Sequence, residues 1–245
     1  MEYHFCRPAR KSKVQKSQAH GGKTHGVKTG NRTNFQSACS MTDTLSPPLW
    51  GCLLIGGKSS RMGHPKHLLP LCDGGVWMER TAALLQPRVA GLVAAGAGEI
   101  PSALTAIPRL KDAEGGQGPL AGIVAAFRHR PEASWLVLAC DMPRVTEQAL
   151  DWLLAARRPG DWAVMPRLTE NARPQPLCAW YGPECRPLFE ERLARGEMRL
   201  HELAAHPNIR SPLVPAALTG DWRNINTKEE LAALNRELAE AGGKS

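Results

Sequence analysis

The sequence predicts an α/β domain built as a doubly wound, mostly parallel sheet, and three observations carry that expectation. From residue 49 onward, short apolar runs of strand length alternate with segments of helical periodicity. The runs at 52–55 and 135–140 are apolar without a break, as strands buried in a sheet are. The chain has 245 residues, 42% of them hydrophobic, which suits one α/β domain with a sizeable core better than two.

The elements follow in order. Residues 50–55 form the first strand and 77–86 the first helix. Residues 89–95 read as the second strand, and 104–110 as a shorter third. Leu120, Ile123, Val124 and Phe127 recur at helical spacing, with Pro119 at a suitable first helical position. Residues 135–140 are a buried strand, and Thr146 caps a helix that runs to about Ala156. Strands are expected at 161–165 and 177–181, and a helix at 183–194. Thr227 and Glu230 have the spacing of a capping box for the last helix, whose Leu231, Leu234 and Leu238 face inward.

Residues 1–48 lack this patterning and form the expected boundary, a disordered basic extension ahead of a domain at 49–245. They are rich in Lys, Ser, Thr, Gly and Gln, and cannot bury enough apolar surface to offset their ordering entropy. Residues 1–40 carry eight Lys/Arg against the single acid Glu2, leaving 23 against 22 for the remainder. The net charge of +8 therefore belongs almost entirely to the extension, as +7 against +1. A basic arm for an anionic partner, a targeting peptide and a functionally inert extension all suit such a segment, the last being the expectation here. Met41 would be a natural start for the body.

Several classes are excluded. No apolar run approaches the ~18 residues of a membrane helix, and no apolar stretch near the N-terminus suits a secretory signal. The seven cysteines, at 6, 39, 52, 72, 140, 178 and 185, include no C-x-x-C pair and are odd in number. A cytoplasmic protein is expected. No aromatic–basic interleaving within the body suggests a nucleic-acid surface.

The most informative stretch is 54–66, where an apolar strand runs into Gly56-Gly57 and then serines, Arg61 and Lys66. Adjacent glycines allow a sharp turn and close approach to a ligand, and the basic groups suit phosphate oxygens. A Walker loop would need glycine at Cys52, and a dinucleotide fingerprint fails on the adjacent glycines. The stretch reads as a phosphate loop of a different kind, although an ordinary strand loop with solvated basic residues fits the local pattern too. In an open parallel sheet ligands bind beyond the carboxyl ends of the strands. Two more features fall there: the loop at 115–118 leading into the helix at Pro119, and Asp141 directly after its apolar strand. A carboxylate so placed suits Mg²⁺ on a bound triphosphate. Asp112 could serve base, ribose or metal, or turn chemistry alone.

Together these motifs resemble the molybdenum cofactor guanylyltransferases. The resemblance rests on Leu54-Ile55-Gly56-Gly57-x-Ser-x-Arg61-Met62-Gly63-x-x-Lys66, on Gly118-Pro119-Leu120-Ala121-Gly122, on Cys140-Asp141-Met142-Pro143 and on Asn224-Ile225-Asn226-Thr227. It covers about residues 50–240. The family usually has alanine at Ile55, and its asparagine after the second strand has no match among Ala94-Ala95-Gly96. What it implies is a Rossmann-like sheet and transfer of GMP from GTP to the phosphate of molybdopterin, with release of pyrophosphate and Mg²⁺ as cofactor. By the same resemblance Leu54, Ile55, Gly56, Gly57, Lys66, Asp112 and Asp141 would bind nucleotide. Arg61 and Lys66 would neutralise charge as pyrophosphate departs, Asp141 would hold the metal, and client molybdoenzymes would receive the product. A CTP-dependent or sugar-phosphate nucleotidyltransferase, or a non-catalytic nucleotide-binding protein, stands as the alternative. His201 and His206 do not make a zinc helix, since the second histidine comes one residue late.

Overall fold

Three strands end level with one another, and that shared edge organises the molecule. In the computed structural model, which describes residues 46–56, 65–71, 75–225 and 227–242, strand β1 (Leu49–Leu54) runs parallel to β2 (Leu92–Ala95) and to β4 (Ser134–Ala139). Leu54 is paired with Ala95 on one side and Ala139 on the other, and Ala95 in turn with Leu110 of β3 (Arg109–Leu110). Ile55, Gly96, Lys111 and Cys140 therefore leave the sheet along one line.

Among the described residues the sheet has seven strands in the order β3-β2-β1-β4-β6-β5-β7. Strand β6 (Cys178–Tyr181) alone is antiparallel to its neighbours, β4 and β5 (Ala163–Val164); β7 (Ile209–Arg210) runs parallel to β5. The doubly wound, mostly parallel expectation is borne out.

The apolar side chains of β1 and β4 alternate between two cores. Cys52, Leu54, Trp135 and Val137 face α2 (Pro119–His129) and α4 (Arg186–Arg195), with Phe127 and Phe189 among the buried residues there. Leu53, Ile55, Leu136 and Leu138 lie on the side of α1 (Trp77–Leu85) and α3 (Glu147–Ala155), with Met78, Leu85, Leu150 and Leu153. Burial on both faces is why these strands read as unbroken apolar runs. At about 1.5–3 kcal/mol per fully buried large apolar side chain, the two layers supply most of the driving force for folding.

Both cap readings hold. Ala149 donates its amide to Thr146 Oγ1 at 3.2 Å at the start of α3. Thr227 and Glu230 exchange two bonds of 3.1 Å ahead of α5 (Lys228–Gly242). Leu231 and Leu234 pack into a small cluster with Leu69, Trp77 and Ile225, whereas Leu238 lies outside the described side chains.

Other expectations shift. The expected strand at 89–95 begins only at Leu92, after a 3₁₀ turn at Gln86–Arg88. The strand expected at 104–110 is reduced to Arg109–Leu110, preceded by a 3₁₀ turn at Ser102–Leu104. Pro108 has no amide for a ladder, although its carbonyl accepts from Ala94 at 2.9 Å. Residues 200–205 form a 3₁₀ segment, and His206 stacks on Trp162 with ring centroids 4.6 Å apart while its Nδ1 accepts from the Asn208 amide. Its role there is structural.

Candidate active site at the carboxyl edge of the sheet

Each side chain at the shared edge is placed by the strand end that carries it. Ile55 continues β1 by donating its amide to Ala95 at 2.9 Å, and its carbonyl accepts from Gly98 at 3.0 Å. The loops after β1 and β2 are thus stitched together backbone to backbone. The approach is so close that a Cβ at Gly96, where φ is +124°, would stand 3.0 Å from the Gly56 nitrogen. Glycine is required there, and Gly96 is one of the three residues, Ala94-Ala95-Gly96, among which the family's asparagine has no match.

The loop after β1 returns at a 3₁₀ turn, Lys66–Leu68. Lys66 Nζ lies 3.9 Å from Asp141 Oδ2, an ion pair too long to be a hydrogen bond. Asp141 follows β4, where Cys140 donates to the Leu54 carbonyl at 3.2 Å and Met142 closes a turn onto Ala139. Its own carbonyl accepts from the Ile225 amide at 3.0 Å, which brings Ile225 against it. Burial drives the Asp141 carboxyl above its ordinary value, and the charge of Lys66 offsets part of that. Its Oδ1 is buried and finds no hydrogen-bond partner among the described residues.

Asp112 stands apart from this pair. It follows β3, three strand positions from β4, which at ~4.8 Å per step is about 14 Å across the sheet. It sits beside the first turn of α2, where a Cβ on Gly122 would be 3.7 Å from its Oδ1, and burial raises its pKa. Helix α2 starts at Gly118, whose φ of 68° and ψ of −155° set Pro119 at the first helical position. Its amino end opens on the same edge, with the polarity that favours anions.

The structure therefore brings Lys66 and Asp141 together and sets Leu54, Ile55 and Gly56 between them and Asp112. Gly57 and Arg61 lie outside the described residues. Sequence reasoning missed His67 and Arg109. Arg109 Nη2 donates to the Ala97 carbonyl at 2.8 Å, and His67 Nε2 lies 2.9 Å from the carbonyl of Glu99. The available signal for His67 was a polar residue next to Lys66, at the head of the apolar run Leu68-Leu69.

A family model described as the MobA-like NTP transferase domain matches residues 51–209, well over half of the chain. The chain belongs to that family. A probable molybdenum cofactor guanylyltransferase of Deinococcus radiodurans is 34% identical over 188 residues, covering 77% of this chain and 94% of that protein. A protein of the same description from Rhodopirellula baltica is 27% identical over 201 residues, covering 78% and 94%. Among solved structures, molybdopterin-guanine dinucleotide biosynthesis protein A from Archaeoglobus fulgidus superposes with a TM-score of 0.64 at 24% identity, over 78% of this chain and 99% of that one. A 2-C-methyl-D-erythritol 4-phosphate cytidylyltransferase from Thermus thermophilus shares the fold, with a TM-score of 0.55 at 17% identity, over 77% and 98%. MobA-like domains and this cytidylyltransferase thus share one sheet, so the fold leaves the base open and the relatives' identity carries the argument for guanine.

The rest of the described surface offers no competing metal centre. Among the described residues no three His, Cys, Asp or Glu side chains gather as ion ligands. No described helix is long and apolar enough to cross a membrane.

Proposed function

We propose that the protein transfers GMP from GTP to the terminal phosphate of molybdopterin. An oxygen of that phosphate forms a bond to the α-phosphorus of GTP, the bond from the α-phosphorus to the β-phosphate oxygen breaks, and pyrophosphate leaves. The observation that carries the reading is the Lys66–Asp141 pair on the common strand edge, in a chain 34% identical to a probable guanylyltransferase.

Two anions must meet, so positioning and charge neutralisation do most of the work. Lys66 would hold the phosphates from one side of the edge, joined by Arg61 and by the backbone of Gly56 and Gly57. Leu54 and Ile55 would form the floor beneath them, and Asp112 would bind the nucleoside near the start of α2. The donor set fits Mg²⁺: one carboxylate whose Oδ1 is buried with no hydrogen-bond partner among the described residues, which suits a cation that takes its other ligands from phosphate and water. Held by Asp141, the ion would supply charge neutralisation at the reacting phosphates.

The reading places the protein in the cytoplasm, delivering its product to client molybdoenzymes. Among the described residues Cys52, Cys140, Cys178 and Cys185 are free and buried, which is compatible with a reducing compartment, and burial pushes the Cys52 thiol up to about 12.

Calorimetric titration of the full chain with GTP, CTP and ATP, each with Mg²⁺, tests the assignment. Selective GTP binding is expected, weakened about tenfold or more in Lys66→Ala, the order expected for a lost charge-assisted contact. A preference for CTP overturns the choice of base, and unchanged affinity in Lys66→Ala removes that residue from the site.

A further inference from the structure

We propose that His67 is a positioning residue: it fastens the loop after β2 to the turn that carries Lys66, and so holds the wall on which the nucleoside rests. The inference rests on the guanylyl-transfer reading and concerns this chain's own way of building that wall.

The loop in question, Gly96-Ala97-Gly98-Glu99, offers no polar side chain before Glu99. A nucleoside reaching it would meet backbone. A glycine-rich backbone recognises a ligand well only when something else holds it in place, because otherwise binding must also order it. Here both sides are held. From β3, Arg109 Nε donates to the Gly96 carbonyl at 3.3 Å and Nη2 to the Ala97 carbonyl at 2.8 Å.

From the opposite side comes His67, only 6% exposed, with Nε2 2.9 Å from the Glu99 carbonyl. A carbonyl can only accept, so the imidazole carries its proton on Nε2. Burial lowers the His67 pKa, which keeps the ring in this neutral form. The ring is packed so tightly on Gly98 that a Cβ there would meet Cε1 at 2.6 Å and the Ile55 carbonyl at 2.2 Å.

A buried histidine bonded to backbone is most often a packing residue. The partner argues otherwise here. It is 32 residues away in sequence, on a different loop of the ligand edge. The preceding residue in the chain, Lys66, reaches Asp141. One short 3₁₀ turn thus carries both the cation at the phosphate end and the restraint on the loop after β2.

The two ends can be read separately by titrating the full chain with GTP and with inorganic tripolyphosphate, both with Mg²⁺. In His67→Leu, GTP should bind about tenfold more weakly, the order expected for one lost hydrogen-bonded restraint, while tripolyphosphate stays within about twofold. His67→Gln keeps an N–H for the Glu99 carbonyl and should restore most of the GTP affinity. Gly98→Ala keeps His67 in the sequence but sets a Cβ against its ring and the Ile55 carbonyl, which pushes the loop off the turn; it should reproduce the selective loss of GTP and keeps the test alive if the leucine variant fails to fold. GTP binding by His67→Leu within about twofold of wild type, or parallel loss of both ligands, overturns the inference. If the wild-type chain binds tripolyphosphate but no guanine nucleotide, the functional reading falls and takes this inference with it.

Discussion

Of the two carboxylate oxygens of Asp141, one faces Lys66 and the other is buried with no hydrogen-bond partner among the described residues, so the site holds a charge that burial penalises. Its pKa is raised, chiefly by burial, which means the folded chain holds the proton more tightly than the unfolded chain does. Stability contributed by this group is therefore greatest at low pH and falls as pH rises from the ordinary value of 3.8 through the folded value, with the full penalty present above it. Asp141→Asn, nearly isosteric, should melt at a higher temperature than wild type at pH 7, and the difference should shrink toward pH 4. The same substitution should abolish guanylyl transfer. An asparagine variant less stable than wild type at pH 7 would mean that the carboxylate supports the fold rather than a ligand. This exchange of stability for a poised charge is what marks a functional residue among structural ones.

At the scale of the element, the amino end of α2 shows how backbone conformation is spent at the site. Gly118 has φ of 68° and ψ of −155°, a region open in practice only to glycine, yet a Cβ there would meet nothing within 4 Å. Gly118→Ala should therefore cost about 1–3 kcal/mol through strain alone, seen as a lower urea midpoint with an unchanged slope; a neutral substitution would show that the turn relaxes freely. Gly98 is the opposite case, with ordinary φ and no space. Neither distinction is visible in the sequence, which shows only glycines. What was legible were elements with their own local signal: the apolar run at 135–140, the Thr146 cap, and the Thr227–Glu230 box. Strand β7 has two residues, and its pairing with β5 is a tertiary fact, held partly by the Arg210–Asp161 ion pair at 2.9 Å. The reversed direction of β6 was hidden for the same reason, since periodicity carries no information on strand polarity. At the site, Asp141 was readable because it comes just after an apolar strand, and Lys66 because it closes the glycine-rich basic stretch that follows another. His67 was not, because its partner lies across a loop.

For the molecule as a whole, the question is how a nearly neutral body handles two polyanionic reactants. The answer is local. Lys66 sits at the strand edge and the amino end of α2 opens on it, so attraction need act over only a few ångströms and does not draw on net charge. On that view the +7 of residues 1–40 is separable from the chemistry, and we propose that residues 49–245 form the transferase domain with 1–48 as an inert extension. Every strand and helix that carries a described site residue lies between Leu49 and Gly242. A protein comprising residues 41–245 should bind GTP and transfer GMP at the rate of the full chain, with the same dependence on ionic strength. The salt titration is the more discriminating half of the experiment. A basic arm that steers the anionic reactants would make association in the full chain fall more steeply with salt than in the shortened one, because long-range attraction is screened beyond about 8–10 Å at physiological ionic strength. Equal slopes leave the phosphate-binding charge where the strand edge puts it; a steeper slope for the full chain would assign part of substrate capture to the extension.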